Sequence, residues 1–228
     1  MNDFQETLNE LNIVVHVLPT VFDRKLDGRL LDLYLAVKDH GWISGSYATW
    51  LAAENAPAPG DIDIFCKTIE SFPQLERNLN AVGFKAINYS EFSVTFEDSR
   101  NSDEYEEVLV LPVQLVYARP LAGLLEDDEI DPLARYGETP EALTKNFDLS
   151  IAQAVVIAPD KVWVSLDWLL DMPLRNVTVV NKLTPVHTAM RLAKYKAKGY
   201  DFEQGEMRSL FDAWASLTDK QRELQFYI

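Results

Sequence analysis

Cysteine, histidine, long apolar runs and basic charge are all scarce in this chain, and each scarcity excludes something. A single cysteine, Cys66, in 228 residues rules out an internal disulfide, and His16, His40 and His187 are too scattered to give zinc spacing. No apolar run approaches the roughly 18 residues of a membrane helix. The first residues, Asn2 to Glu6, lack the basic start of a signal peptide. The expectation is a soluble cytoplasmic protein with no membrane partner. Lys and Arg number 21 against 36 Asp and Glu, for a formal charge of −15. That balance argues against tight, sequence-independent DNA binding, which draws its affinity from basic side chains neutralising phosphates.

What is present is enough apolar material for a sizeable core, 47% of the residues. Leu30 to Val37 carries apolar residues at helical spacing, Trp42 to Ser44 reads as a short strand, and Ser46 to Ala53 as an Ala/Leu-rich helix. Pro57, Pro59 and Gly60 break that helix and deliver the chain to a strand beginning at Asp61. A helix follows from Ser71 to Val82, capped by Gly83, and then strands over Phe84 to Ile87, Ser90 to Phe96 and Val108 to Ala118, with Asp98 to Glu106 as a polar turn. Thr139-Pro140-Glu141 opens a helix, and Ile151 to Ile157 and Lys161 to Val164 can pair across Ala158-Pro159-Asp160. The last third is helical: Thr184-Pro185 reads as an N-cap with proline at the first helical position, and Glu206 to Ser216 and Asp219 to Phe226 read as further helices. The fold class expected is α/β (α+β), with an α/β part over residues 1–172, a C-terminal helical segment over 173–228, and a soft boundary near Pro173.

One constellation carries chemistry. Gly45-Ser46 opens a helix, and the strand after the loop begins Asp61-Ile62-Asp63. Strand side chains alternate, so Asp61 and Asp63 project from one face, an arrangement suited to hard divalent cations. Backbone amides at a Gly-Ser turn are a usual receiver for phosphate oxygens.

The segment Gly41-Trp42-Ile43-Ser44-Gly45-Ser46, taken with Asp61-Ile62-Asp63, resembles the nucleotidyltransferase superfamily of the DNA polymerase β type. The resemblance is best from Trp42 to Phe65. It implies a mixed sheet flanked by helices, Mg²⁺ or Mn²⁺ held by Asp61 and Asp63, and a nucleoside triphosphate as partner. It also implies transfer of a nucleoside monophosphate, with release of pyrophosphate, to a hydroxyl on a small molecule, a protein or an RNA end. Gly45 and Ser46 would receive phosphates, and Arg191 and Lys194, three apart on one helix face, would hold the triphosphate.

The family pattern includes a third carboxylate on a later strand, and there this chain departs from it: Gln114 occupies the expected place within Val113-Gln114-Leu115-Val116. A substitute is sought in Asp148, taken as a third catalytic carboxylate. Gln114 also keeps open an alternative, a nucleotidyltransferase-fold module that has lost catalysis and serves in binding or regulation. A plain α/β binding domain is a third option; it would turn Asp61 and Asp63 to solvent, away from any cleft. The acidic run Glu126 to Glu129 reads as a solvated loop, Cys66 as a small buried hydrophobe, and Tyr195 and Tyr200 as core aromatics.

Overall fold

A computed structural model describes residues 16–21, 24–90, 93–100, 109–116 and 136–224. Among them run β1 (Val17–Pro19), α1 (Gly28–Val37), β2 (Gly41–Ser44), α2 (Ser46–Ala52), β3 (Ile62–Cys66), α3 (Phe72–Ala81), β4 (Phe84–Tyr89), β5 (Ser93–Asp98) and β6 (Val113–Val116). The chain continues through α4 (Pro140–Thr144), β7 (Ala154–Ala158), β8 (Lys161–Val164), α5 (Leu166–Asp171), α6 (Pro185–Ala197), α7 (Gln204–Ser216) and α8 (Asp219–Leu224). The eight strands form one sheet in the order β1-β8-β7-β2-β3-β6-β5-β4. Only β3 and β6 run parallel; the other pairings are antiparallel. The fold is mixed α/β, as the element order in the sequence anticipates.

Period-two alternation in the central strands divides the sheet into two faces. Ile62 and Ile64 of β3, and Val113 and Leu115 of β6, are fully buried in the larger core with Leu33 and Val37 of α1, Tyr47 and Leu51 of α2, and Leu75 and Leu79 of α3. Each fully buried aliphatic side chain contributes about 1.5–3 kcal/mol. Phe65, one residue out of phase with Ile64, belongs to a smaller cluster on the opposite face with Leu143, Phe147, Val155 and Trp163. Asp63 and Gln114 share the phase of Phe65 and Val116, so the chemistry of β3 sits on the face away from the larger core. Leu192 of α6, Tyr200 in the connection after it and Leu210 of α7 pack into that larger core, which ties the C-terminal helices to the sheet.

Several expected boundaries shift. β6 begins at Val113 rather than Val108, because Pro112 has no N–H for the ladder and instead accepts from Ile62 N through its carbonyl at 2.9 Å; the expected end of the strand at Ala118 lies outside the described residues. Residues 150–152 are a 3₁₀ turn rather than the start of β7: the Ser150 hydroxyl donates to Asp171 and accepts from Thr178 N, which binds the local backbone into a turn. α5 was not legible as a helix, being six residues long; Ser165 caps it by accepting from Trp168 N at 3.0 Å. Thr184 occupies the position before Pro185 as expected but makes no side-chain cap bond. The expected polar turn at Asp98 to Glu106 lies mostly outside the described residues, and the acidic run Glu126 to Glu129 wholly so.

Candidate active site

The Gly45 turn is held against β7. Ser44, completely buried, donates from Oγ to Ala154 O at 2.6 Å, and Gly45 N donates to the same carbonyl at 3.2 Å. Gly45 itself has φ +74°, a left-handed conformation that favours glycine, and a Cβ there would stand 3.4 Å from Asp63 Oδ2. α2 behind it is anchored by Thr49, whose hydroxyl donates to Ile151 O at 2.7 Å and accepts from Trp168 Nε1 at 3.0 Å. With seven residues, α2 is too short for its dipole to count for much.

Asp63 lies in register between Ser44 of β2 and Gln114 of β6. Gln114 Nε2 donates to Asp61 Oδ2 at 3.2 Å. An ionised carboxylate can only accept, so the amide necessarily turns its NH₂ toward Asp61. Both carboxylates line one pocket of about 600 Å³, which Gly45, Ser46, Pro59 and Gly60 also border. Phe65, Val116 and Phe147 form an apolar part of its wall, with the Phe65 and Phe147 rings 5.0 Å apart.

Arg191, Lys194, Tyr195 and Lys198 of α6 and its last turn also line the pocket. Their spacing of three, four and seven residues puts them on one helical stripe. Lys198 has its ammonium pKa lowered, first by burial and then by the neighbouring charge of Lys194, with Asp61 acting in the opposite direction. Lys198 therefore stands within electrostatic reach of both groups. Burial raises the Tyr195 hydroxyl, and Tyr200, Asp148 and Asp63 add to the rise against the opposing charge of Arg191. Tyr195 also meets Tyr200 edge-on, with centroids 5.5 Å apart.

Asp148, expected as a third catalytic carboxylate, lines the same pocket but is engaged on both oxygens. Oδ1 accepts from Arg191 Nη1 at 2.7 Å, and Oδ2 accepts from Thr188 Oγ1 at 2.9 Å. It thus holds the base of the cationic stripe. The sequence-predicted residues Gly45, Ser46, Asp61, Asp63, Asp148, Arg191 and Lys194 are brought to one concavity. Lys198 is legible in the sequence as part of the basic cluster Arg191, Lys194, Lys196 and Lys198 but not as a lining residue, although it lies one further turn along the stripe from Lys194; Phe147 has no local signal. The third option, carboxylates pointing to open solvent, is not what the geometry gives.

Among the described residues no three His, Cys, Asp or Glu side chains group as a metal set. Two same-face carboxylates nonetheless suit one Mg²⁺, which takes one or two carboxylates and fills its octahedron with water and substrate phosphates.

The mixed α/β fold is shared with solved nucleotidyltransferases. Among solved structures, the chain is similar to a CCA-adding enzyme in its apo form, with TM-score 0.54 and 15% identity over 92% of this chain and 50% of that one. A Thermotoga maritima CCA-adding enzyme in complex with tRNA gives TM-score 0.53 and 15% identity over 88% and 47%. A tRNA nucleotidyltransferase with a primer tRNA and an incoming ATP analogue gives TM-score 0.50 and 9% identity over 86% and 54%. This chain spans about half the length of those neighbours, and at such identities the likeness is one of fold. No protein-family model and no curated protein sequence matches it.

Proposed function

We propose that this chain transfers a nucleoside monophosphate from a nucleoside triphosphate to an acceptor hydroxyl, with release of pyrophosphate. The observation that carries the reading is the meeting, in one pocket, of two same-face carboxylates with the cationic stripe Arg191, Lys194 and Lys198. At −15 the protein repels anions at long range. Charges further apart than about 8 Å are largely screened at physiological salt, so the local stripe decides whether a triphosphate is received.

Asp61 and Asp63 would hold Mg²⁺ or Mn²⁺, which when bound supplies acidification of the acceptor hydroxyl and neutralisation of phosphate charge. The chain's own side chains do the rest. Lys194 and Lys198 receive the β and γ phosphates, Asp148 fixes the Arg191 guanidinium that faces them, and Gly45 leaves room for phosphate oxygens beside Asp63. As the acceptor oxygen bonds to the α-phosphorus, the bond from that phosphorus to the bridging oxygen breaks. Pyrophosphate leaves with the electron pair, and the acceptor proton passes to water in the open pocket. Losing the carboxylates removes stabilisation of charge that develops only in the transition state, so kcat falls rather than KM rising.

An RNA 3′ end is the acceptor class to try first, because two of the fold neighbours were solved with tRNA. The test is Mg²⁺- or Mn²⁺-dependent pyrophosphate release from each of the four common triphosphates, with short RNA and with small hydroxyl acceptors. The expected result is turnover that Asp63→Asn lowers by about 10²–10³-fold. A second reading, a nucleotide-binding regulatory module without catalysis, is favoured by the Gln114 to Asp61 hydrogen bond. It predicts a nucleotide-dependent rise in Tm with no pyrophosphate released from any pairing.

A further inference from the structure

Two divalent ions in one transfer site sit about 3.5–4 Å apart, which concentrates four positive charges and calls for several anionic ligands from the protein. Among the described residues this pocket is short of them. Asp61 and Asp63 supply two negative charges, and Asp148, the third carboxylate that those residues bring to the lining, is spent on Arg191 and Thr188. The position beside Asp63 on β6 is an amide, Gln114, in direct register with it. Its NH₂ donates to Asp61 Oδ2 at 3.2 Å, so on its β6 side Asp61 meets a hydrogen-bond donor instead of a further anionic oxygen. A cation shared between Asp61 and β6 would face N–H groups. Arg191, Lys194 and Lys198 on the remaining wall add positive charge of their own.

We propose that the pocket takes one divalent ion per bound nucleotide, that Gln114 sets this count, and that Lys194 and Lys198 neutralise the departing pyrophosphate in place of a second ion. The inference rests on the nucleotide reading above and deepens it: it names how the site meets leaving-group charge. Lysine ammonium groups are compact, strongly hydrated charges on flexible stems. Lys198, partly desolvated and near Lys194, is placed to gain a phosphate partner when one arrives.

The experiment counts ions on the full-length protein. Mn²⁺ is titrated in the presence of a saturating non-hydrolysable triphosphate, and bound ion per bound nucleotide is read by electron paramagnetic resonance. The wild type is expected to hold one, Gln114→Ala one, and Gln114→Glu two, since the glutamate replaces an N–H donor with a carboxylate. Should Gln114→Glu fail to fold, Gln114→Asp, one methylene shorter, carries the same comparison. Two ions on the wild type, or one on a folded carboxylate variant, overturns this inference and leaves the nucleotide reading intact. Absence of any Mn²⁺-nucleotide binding to the wild type overturns both.

Discussion

Asp148 and Arg191 lie 43 residues apart in the chain and 2.7 Å apart in space, joining the turn after α4 to the pocket face of α6. Thr188 donates to the other oxygen of the same carboxylate at 2.9 Å. The aspartate thereby fixes the Arg191 guanidinium, and in the proposed reaction it would act through Arg191 as a positioning residue.

Asp148→Asn is expected to raise the KM for nucleotide about tenfold with a smaller change in kcat, the pattern of a lost binding contact. Stability should fall by about 1–2 kcal/mol, a figure kept low because Arg191 is 35% exposed. A loss of kcat as deep as that of Asp63→Asn, with KM unchanged, would make Asp148 a catalytic carboxylate instead.

Gly45→Ala tests the turn. The alanine must adopt φ +74° and bring a Cβ to 3.4 Å from Asp63 Oδ2. Backbone strain of about 1 kcal/mol or more follows, and the displaced carboxylate should cost turnover more than it costs Tm. A variant with wild-type kcat would show that the turn does not position Asp63.

Asp98 predicts an acid limb. Burial pushes its carboxyl pKa up, but two hydrogen bonds from Arg29 at 2.7 and 3.0 Å, the Leu109 and Arg100 amides and the Arg29 charge outweigh burial and hold it at about 2. Because the folded value lies below the unfolded one, near 3.9, the stabilisation is complete above about pH 4 and is lost as pH falls toward 2. Its size is about 2 kcal/mol. Thermal melts from pH 5 to 2 should show Asp98→Asn less stable at the upper end and the difference from wild type closing below pH 4; a constant gap across the range would remove Asp98 from the acid response.

Cys66 is 3% exposed, and burial pushes its thiol pKa up to about 12. Reactivity follows the thiolate. At pH 8 the native protein should react with a thiol reagent no faster than it unfolds, and denaturant should release one equivalent at once. Rapid labelling of the native chain would contradict the burial.

Of the molecule's two halves of information, the local one was readable in the chain. Gly45-Ser46 falls on the expected turn, and Ile62 and Asp63 on the expected strand, which starts one residue later than expected and leaves Asp61 just ahead of it; period-two alternation and Pro/Gly breaks are properties of neighbouring residues. α6 likewise runs from Pro185 to Ala197, just short of Gly199 with its φ of +86°. The short α5 and the 3₁₀ turn at 150–152 escaped, since Ser150 is committed by Asp171 and Thr178, partners more than twenty residues away.

The sequence by itself determined which residues are chemically capable: two carboxylates two residues apart where a strand begins, a glycine turn before a helix, and a stripe of cations on another helix. Only the tertiary structure decided their partners. It joined Asp148 to Arg191 and Thr188, set Gln114 against Asp61, and brought Lys198 within reach of both Lys194 and Asp61. Contacts of that kind depend on β3 and β6 lying side by side and α6 packing into the core through Leu192. Spacing along a chain fixes the direction of a side chain within its own element, whereas what it meets is set by how distant elements bury their apolar faces.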